Sequence, residues 1–133
     1  MADITGSRTE ANLRRAFTDE TIAGRRHAAA AARAEAGGNE SAAVSLRQAA
    51  QRRHTHAAGH MDQLEPAPPG RGTAYLLRVA IMHEVHEFAG AYPAMARKAR
   101  EEGLDDIATW FECLAKSSRA RAARFRRSLE TSM

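Results

Sequence analysis

Between Pro66 and Gly72 the chain reads Pro-Ala-Pro-Pro-Gly-Arg-Gly. No helix crosses such a stretch, because three prolines lack amide donors and two glycines raise the entropy cost of ordering the backbone. Everything on either side of it favours helix. Alanine carries much of the 44% apolar content while aromatics make up only 5%, a composition suited to slim, closely packed helices and not to a sheet. The 133 residues suffice for one core, so the expectation is a single all-α domain with a linker at residues 65–72.

Local signals place the four helices. Ser7-Arg8-Thr9-Glu10 has the form of a capping box and starts helix 1 near residue 9; Gly37-Gly38 end it at about residue 36. Asn39 caps a second helix over about 40–64. The third runs from about 73 to 102, with Pro93 as an internal kink and Gly103 as its stop. The fourth covers about 105–129, acidic at its head and rich in arginine toward its end, as the helix dipole favours.

Heptad-like stripes show which side chains face inward. Helix 1 gives Leu13, Phe17, Glu20, Gly24, His27 and Ala31; helix 2 gives Leu46, Ala50, Arg53, Ala57, His60 and Leu64, with His56 on the flank. Helix 3 gives Leu77, Ala80, Glu84, Glu87, Ala91 and Met95, and helix 4 gives Ile107, Phe111, Leu114, Ser118, Arg121 and Phe125. Every stripe is interrupted by polar residues near its middle, on the face that should be dry. Outward rotation would explain this for one helix but not for four. His54, His83 and His86 fall off the stripes and are expected at the surface. His60 is left undecided.

Other features narrow the function. Twenty Lys+Arg against sixteen Asp+Glu give +4 and a pI near 10.0. The band Arg119, Arg124, Arg126, Arg127 lacks interleaved aromatics or a recognition motif, so it reads as a solvated helix end and not as a nucleic-acid surface. The single Cys113 excludes an internal disulfide and a Cys-x-x-Cys metal knuckle, and its place beside Trp110, Phe111 and Leu114 suggests a buried, inert thiol. No segment has the length and apolarity of a membrane span or a signal peptide, so a cytoplasmic protein without membrane contact is expected.

Several strings resemble the rubrerythrin family of the ferritin-like superfamily: Gly6-Ser7-Arg8-Thr9-Glu10-Ala11-Asn12-Leu13 with Ala16-Phe17, Glu84-Val85-His86-Glu87 with Tyr92-Pro93, and Ala99-Arg100-Glu101-Glu102-Gly103 followed by Ile107-Ala108-Thr109-Trp110-Phe111-Glu112. The resemblance implies a ferritin-like four-helix bundle around a non-haem di-iron centre that reduces peroxide with electrons from a small iron–sulfur partner. It places retained metal ligands at Glu20, His56, Glu84 and Glu87. The family's helix 2 glutamate is Arg53 here, and its helix 4 Glu-x-x-His becomes Ser118-Arg119-Ala120-Arg121. The rubredoxin-like module of longer relatives needs cysteines that this sequence lacks, so any electron supply would come from another protein.

Electrostatics explains why arginine should stand there. A di-iron pair offsets the charge of its carboxylates, whereas buried Glu20, Glu84 and Glu87 without metal would cost several kcal/mol each, or protonate. Arg53 and Arg121 bring two fixed positive charges, protonated His56 or His27 a third, and guanidinium forks match carboxylate geometry. The first expectation is therefore a metal-free network of Glu20, Glu84 and Glu87 with Arg53, Arg121, Ser118, His27 and Tyr92, without catalysis or cofactor. The alternative is a peroxidase-like oxidoreductase with a residual mononuclear site for iron, manganese or zinc on Glu20, His56 and one of Glu84 or Glu87, or an altered di-iron site with substituted ligands, with His27 as a further ligand or proton donor and Tyr92 as a hydrogen-bond donor or packing ring. A third expectation concerns assembly. Helix 2 is roughly 38 Å long at 1.5 Å per residue, while the linker spans only about 26 Å when extended. Either helix 3 starts part-way along the bundle, or helices 3 and 4 pack on helices 1 and 2 of another copy; the expectation is the second, an intertwined homodimer.

Overall fold

The computed structural model describes residues 3–66 and 70–131, so Ala67, Pro68 and Pro69 of the expected linker lie outside the described residues. The chain divides into two compact units, residues 1–67 and 68–133. All regular structure among the described residues is helical.

The first unit is a hairpin of α1 (Arg8–Ala36) and α2 (Glu40–Leu64). Ser7 caps α1 by accepting from the Glu10 amide at 3.0 Å. The return bond of the capping box is displaced by one residue, because Glu10 Oε1 accepts from Gly6 N–H at 3.2 Å. Gly38, at φ +80, closes the turn, a conformation that costs glycine nothing. Asn39 then caps α2 through the Ala42 amide at 3.1 Å. The two helices meet over alanine: Ala31, Ala43 and Ala57 are the buried apolar residues of this unit.

At Gly24 the two helices come close. A Cβ built on it would lie 3.3 Å from Arg53 Cβ, so the bare glycine is what lets Arg53 leave α2 beside α1, one turn beyond Glu20. Gly24→Leu should push the helices apart and pull Arg53 off Glu20, at a cost of about 1–3 kcal/mol as overpacking, read as a lower urea midpoint at unchanged slope.

The second unit contains α3 (Thr73–His86), a π-helical turn (Glu87–Ala91), α4 (Tyr92–Glu101) and α5 (Asp105–Thr131), with α5 packed along the other three. The expected third helix to residue 102 is thus widened in the middle and ends at Glu101. Pro93 supplies the reason. It has no N–H to offer the Ala89 carbonyl and its ring would crowd that oxygen. The chain takes up an extra residue ahead of it, with Tyr92 N–H bonded to the Glu87 carbonyl, so a π turn replaces a simple kink. Ala96, Ala99, Ala108 and Ala122 are buried in this unit.

Cys113 corrects the sequence reading: its thiol is exposed. It sits one residue, about 100° of helix, away from Leu114 on the inward stripe. Trp110 is likewise turned outward, 60% exposed.

Candidate functional site

In the first unit the site is built around Glu20, whose side chain is only 10% exposed. Arg53 Nη1 donates to Glu20 Oε1 at 2.6 Å. His56 Nδ1 stands 2.8 Å from Glu20 Oε2, and His60 Nε2 stands 3.9 Å from the same oxygen. The His56 contact is close but poorly aligned, so Oε2 has no hydrogen-bond donor among the described residues. The acid is the closed part of this arrangement. Arg53 and His56 keep 45% and 59% of their side-chain surface open, reaching Glu20 from the edge and not from the dry interior the stripes suggested.

In the second unit, Arg121 Nε donates to Glu84 Oε1 at 2.9 Å, and Ser118 Oγ donates to Glu87 Oε2 at 3.0 Å. Arg121 Nη2 also donates to Ser118 Oγ at 3.2 Å, which links the two carboxylates through one fully buried hydroxyl. Glu84 Oε2 is buried without a donor among the described residues. The geometry follows from periodicity: Glu84 and Glu87 are three apart on α3 and the following π turn, and Ser118 and Arg121 are three apart on α5, so each pair shares a face.

Charge shifts follow the contacts. The Arg53 hydrogen bond holds the Glu20 carboxyl below its ordinary value, against burial that raises it, with His56 adding to the lowering. The Glu84 hydrogen bond raises Arg121 above its ordinary value. A carboxyl whose folded pKa is depressed stabilises the protein above its unfolded pKa, and that contribution is lost as pH falls through the lower folded value. The wild-type Tm should therefore drop more steeply than that of Glu20→Gln as pH falls below the ordinary glutamate value of 4.5. Parallel melts at pH 7 and at about pH 3 check this.

Two other expected members stand apart from these bonds. His27 is half-buried on α1 and is not among the groups that touch Glu20. The Tyr92 ring stacks on Phe111 with centroids 6.2 Å apart and planes at 22°, the packing role of the two considered for it. His54, His83 and His86 are exposed. His60 is the residue that sequence reasoning left undecided; its spacing of four from His56 on one helix was the available signal.

No protein-family model matches the chain. A rubrerythrin from Nitratidesulfovibrio vulgaris is 30% identical, the match covering 94% of this chain and 71% of that protein. The chain belongs to the rubrerythrin family. A rubrerythrin from Porphyromonas gingivalis is 35% identical over 85% of this chain, which spans 62% of that relative's length. Membership carries the all-α, ferritin-like fold class, with which the helices agree. No helix among the described residues is long and apolar enough to cross a membrane. The rubrerythrin ligand positions named from the sequence are Glu20, His56, Glu84 and Glu87. Three of these carry an arginine or serine contact at 3.0 Å or less: Arg53 on Glu20, Arg121 on Glu84 and Ser118 on Glu87. Among the described residues, no group of three or more His, Cys, Asp or Glu side chains is placed to hold a metal ion.

Proposed function

We propose that this rubrerythrin relative is a metal-free, non-catalytic member of its family, acting as a structural or interaction protein. The observation that supports the reading is the seating of Arg53 on Glu20 and Arg121 on Glu84, at 2.6 and 2.9 Å. The donor set does not fit a di-iron pair. Each guanidinium occupies an oxygen that iron would take and opposes a dication by charge. Ser118 offers Glu87 a neutral hydrogen bond where the family pattern would provide a carboxylate.

The protein then works as a soluble cytoplasmic homodimer, with helices 3 and 4 of the sequence reading exchanged between copies, and without an electron donor or cofactor. A remnant metal site is the alternative, to which the first unit would contribute His56 and Glu20 Oε2, buried without a donor among the described residues. Expression with iron, manganese and zinc supplied together, followed by elemental analysis, separates the two. Less than about a tenth of an ion per chain supports the metal-free reading, and close to one ion supports the remnant site. Peroxide reduction should stay at the protein-free rate in the first case.

A further inference from the structure

The α1–α2 hairpin has a second face, on which a groove of about 680 Å³ runs between the two helices. That volume lies within the range of small-molecule sites. Its floor is formed by Ala28, Ala31 and Ala32 of α1 with Ala50 and Ala57 of α2, whereas Arg53, His56 and His60, which approach Glu20, do not line it. Methyl groups make that floor smooth and offer it no hydrogen bond. No bulky apolar side chain lines the groove, so the trough suits an unbranched chain.

Polar groups gather toward one end. Thr21 and Arg25 are four apart on α1, and Gln51 and His54 three apart on α2, so each pair shares a face. All four line the groove around Gly24, where the helices come close. Each brings a donor: a hydroxyl, a guanidinium, an amide and a ring N–H. At the other end Arg47 donates to Glu35 at 3.1 Å, so that charge is already matched. From Arg25 to Glu35 is about 15 Å of helix at 1.5 Å per residue.

Lacking an acidic partner does not distinguish Arg25 from other surface arginines; its surroundings do. On α1 no acid stands between Glu20 and Glu35, and on α2 none stands between Glu40 and Asp62, while Arg25, Arg26, Arg33, Arg47, Arg52 and Arg53 fall in those intervals. Glu20 borders the groove, but its oxygens lie against Arg53 and His56. The field over the donor end is therefore positive, and it adjoins an apolar floor. We propose that the groove binds one unbranched alkyl carboxylate, its head at Arg25, Gln51 and His54 and its chain along Ala28, Ala32 and Ala50 toward Arg47. An alkylammonium head would oppose Arg25, and a nucleic-acid backbone would find no donor along the alanines. The site goes beyond the metal-free reading and stands on the hairpin alone, so either can fail without the other.

Titration calorimetry of the full chain with dodecanoate, kept below its micelle concentration, tests the proposal. One molecule per chain should bind with a Kd of about 10–100 µM. From octanoate to dodecanoate each added methylene should tighten binding about two- to fourfold, and tetradecanoate, overrunning the Glu35–Arg47 end, should gain little more. Arg25→Glu should weaken dodecanoate at least about tenfold. Ala32→Leu, which fills the floor at an exposed position of α1, should do the same while Tm stays within about 2 °C. Arg97→Glu, in the smaller groove between α4 and α5, should leave the Kd unchanged, and dodecylammonium should not compete. No binding, a Kd unmoved by both Arg25→Glu and Ala32→Leu, equal affinity for dodecylammonium, or affinity independent of chain length would each overturn the proposal. Retention on anionic phospholipid vesicles that free dodecanoate does not reverse would also overturn it and assign the face to a membrane surface. Duplex DNA retained where dodecanoate is not would overturn it in favour of a polyanion.

Discussion

Replacing Arg53 with glutamate, Ser118 with glutamate and Arg121 with histidine in one chain is expected to take ferrous uptake from near zero to about two ions per chain. Three separate changes act in the same direction. Arg53→Glu removes the guanidinium that occupies Glu20 Oε1 and adds a carboxylate. Arg121→His releases Glu84 Oε1 and exchanges a fixed cation for an imidazole that binds metal when neutral. Ser118→Glu replaces the hydroxyl on Glu87 with a further acid. The set then matches the Glu, Glu-x-x-His, Glu-x-x-Glu, Glu-x-x-His pattern of the family. Arg53→Glu alone should fail to bind iron and lower stability, because it puts two acids side by side with no cation between them. A folded triple variant that stays free of iron would show that something other than these three residues keeps metal out.

Breaking the Arg121–Glu84 pair from one side should lower Tm by roughly 5–10 °C, whereas replacing both partners should leave it within about 3 °C of the wild type. Arg121→Met deprives Glu84 of its one donor among the described residues, leaving a carboxylate whose side chain is 15% exposed without that bond. It also removes the bond that Ser118 accepts from Arg121. Glu84→Leu added to Arg121→Met takes the charge away together with its partner and fills the space with apolar volume. Melting curves of the wild type, both single variants and the double variant form a complete cycle. Equal losses in the single and double variants would mean that the pair contributes through packing of the arginine stem and not through its charge.

Helix positions were legible in the sequence because their signals are local. Ser7, Asn39 and Gly38 act through bonds to residues a few places away, so caps and turns were readable from short strings. That polar residues would stand on the inward faces was legible for a related reason: Glu20, Arg53, Glu84, Ser118 and Arg121 each interrupt an apolar stripe, although which of them would meet which was not. The π turn was not legible. Pro93 announces a distortion, but whether a helix kinks or takes in an extra residue depends on how the following segment packs on α5. Cys113 was misplaced because proximity to Trp110 and Phe111 in sequence was taken for proximity in space, although adjacent helical residues diverge by about 100°. His60 lay between these cases, on the stripe but at its edge, and only the turn of α2 relative to Glu20 decides that it faces the acid at 3.9 Å.

The measurement that bears most directly on the metal-free reading is anaerobic loading of the purified protein with ferrous iron, followed by removal of unbound metal, elemental analysis and exposure to peroxide. The account predicts that no iron is retained and that peroxide produces no oxo-bridged absorption band, because Arg53 and Arg121 remain on Glu20 and Glu84. Two irons per chain together with that band would contradict it.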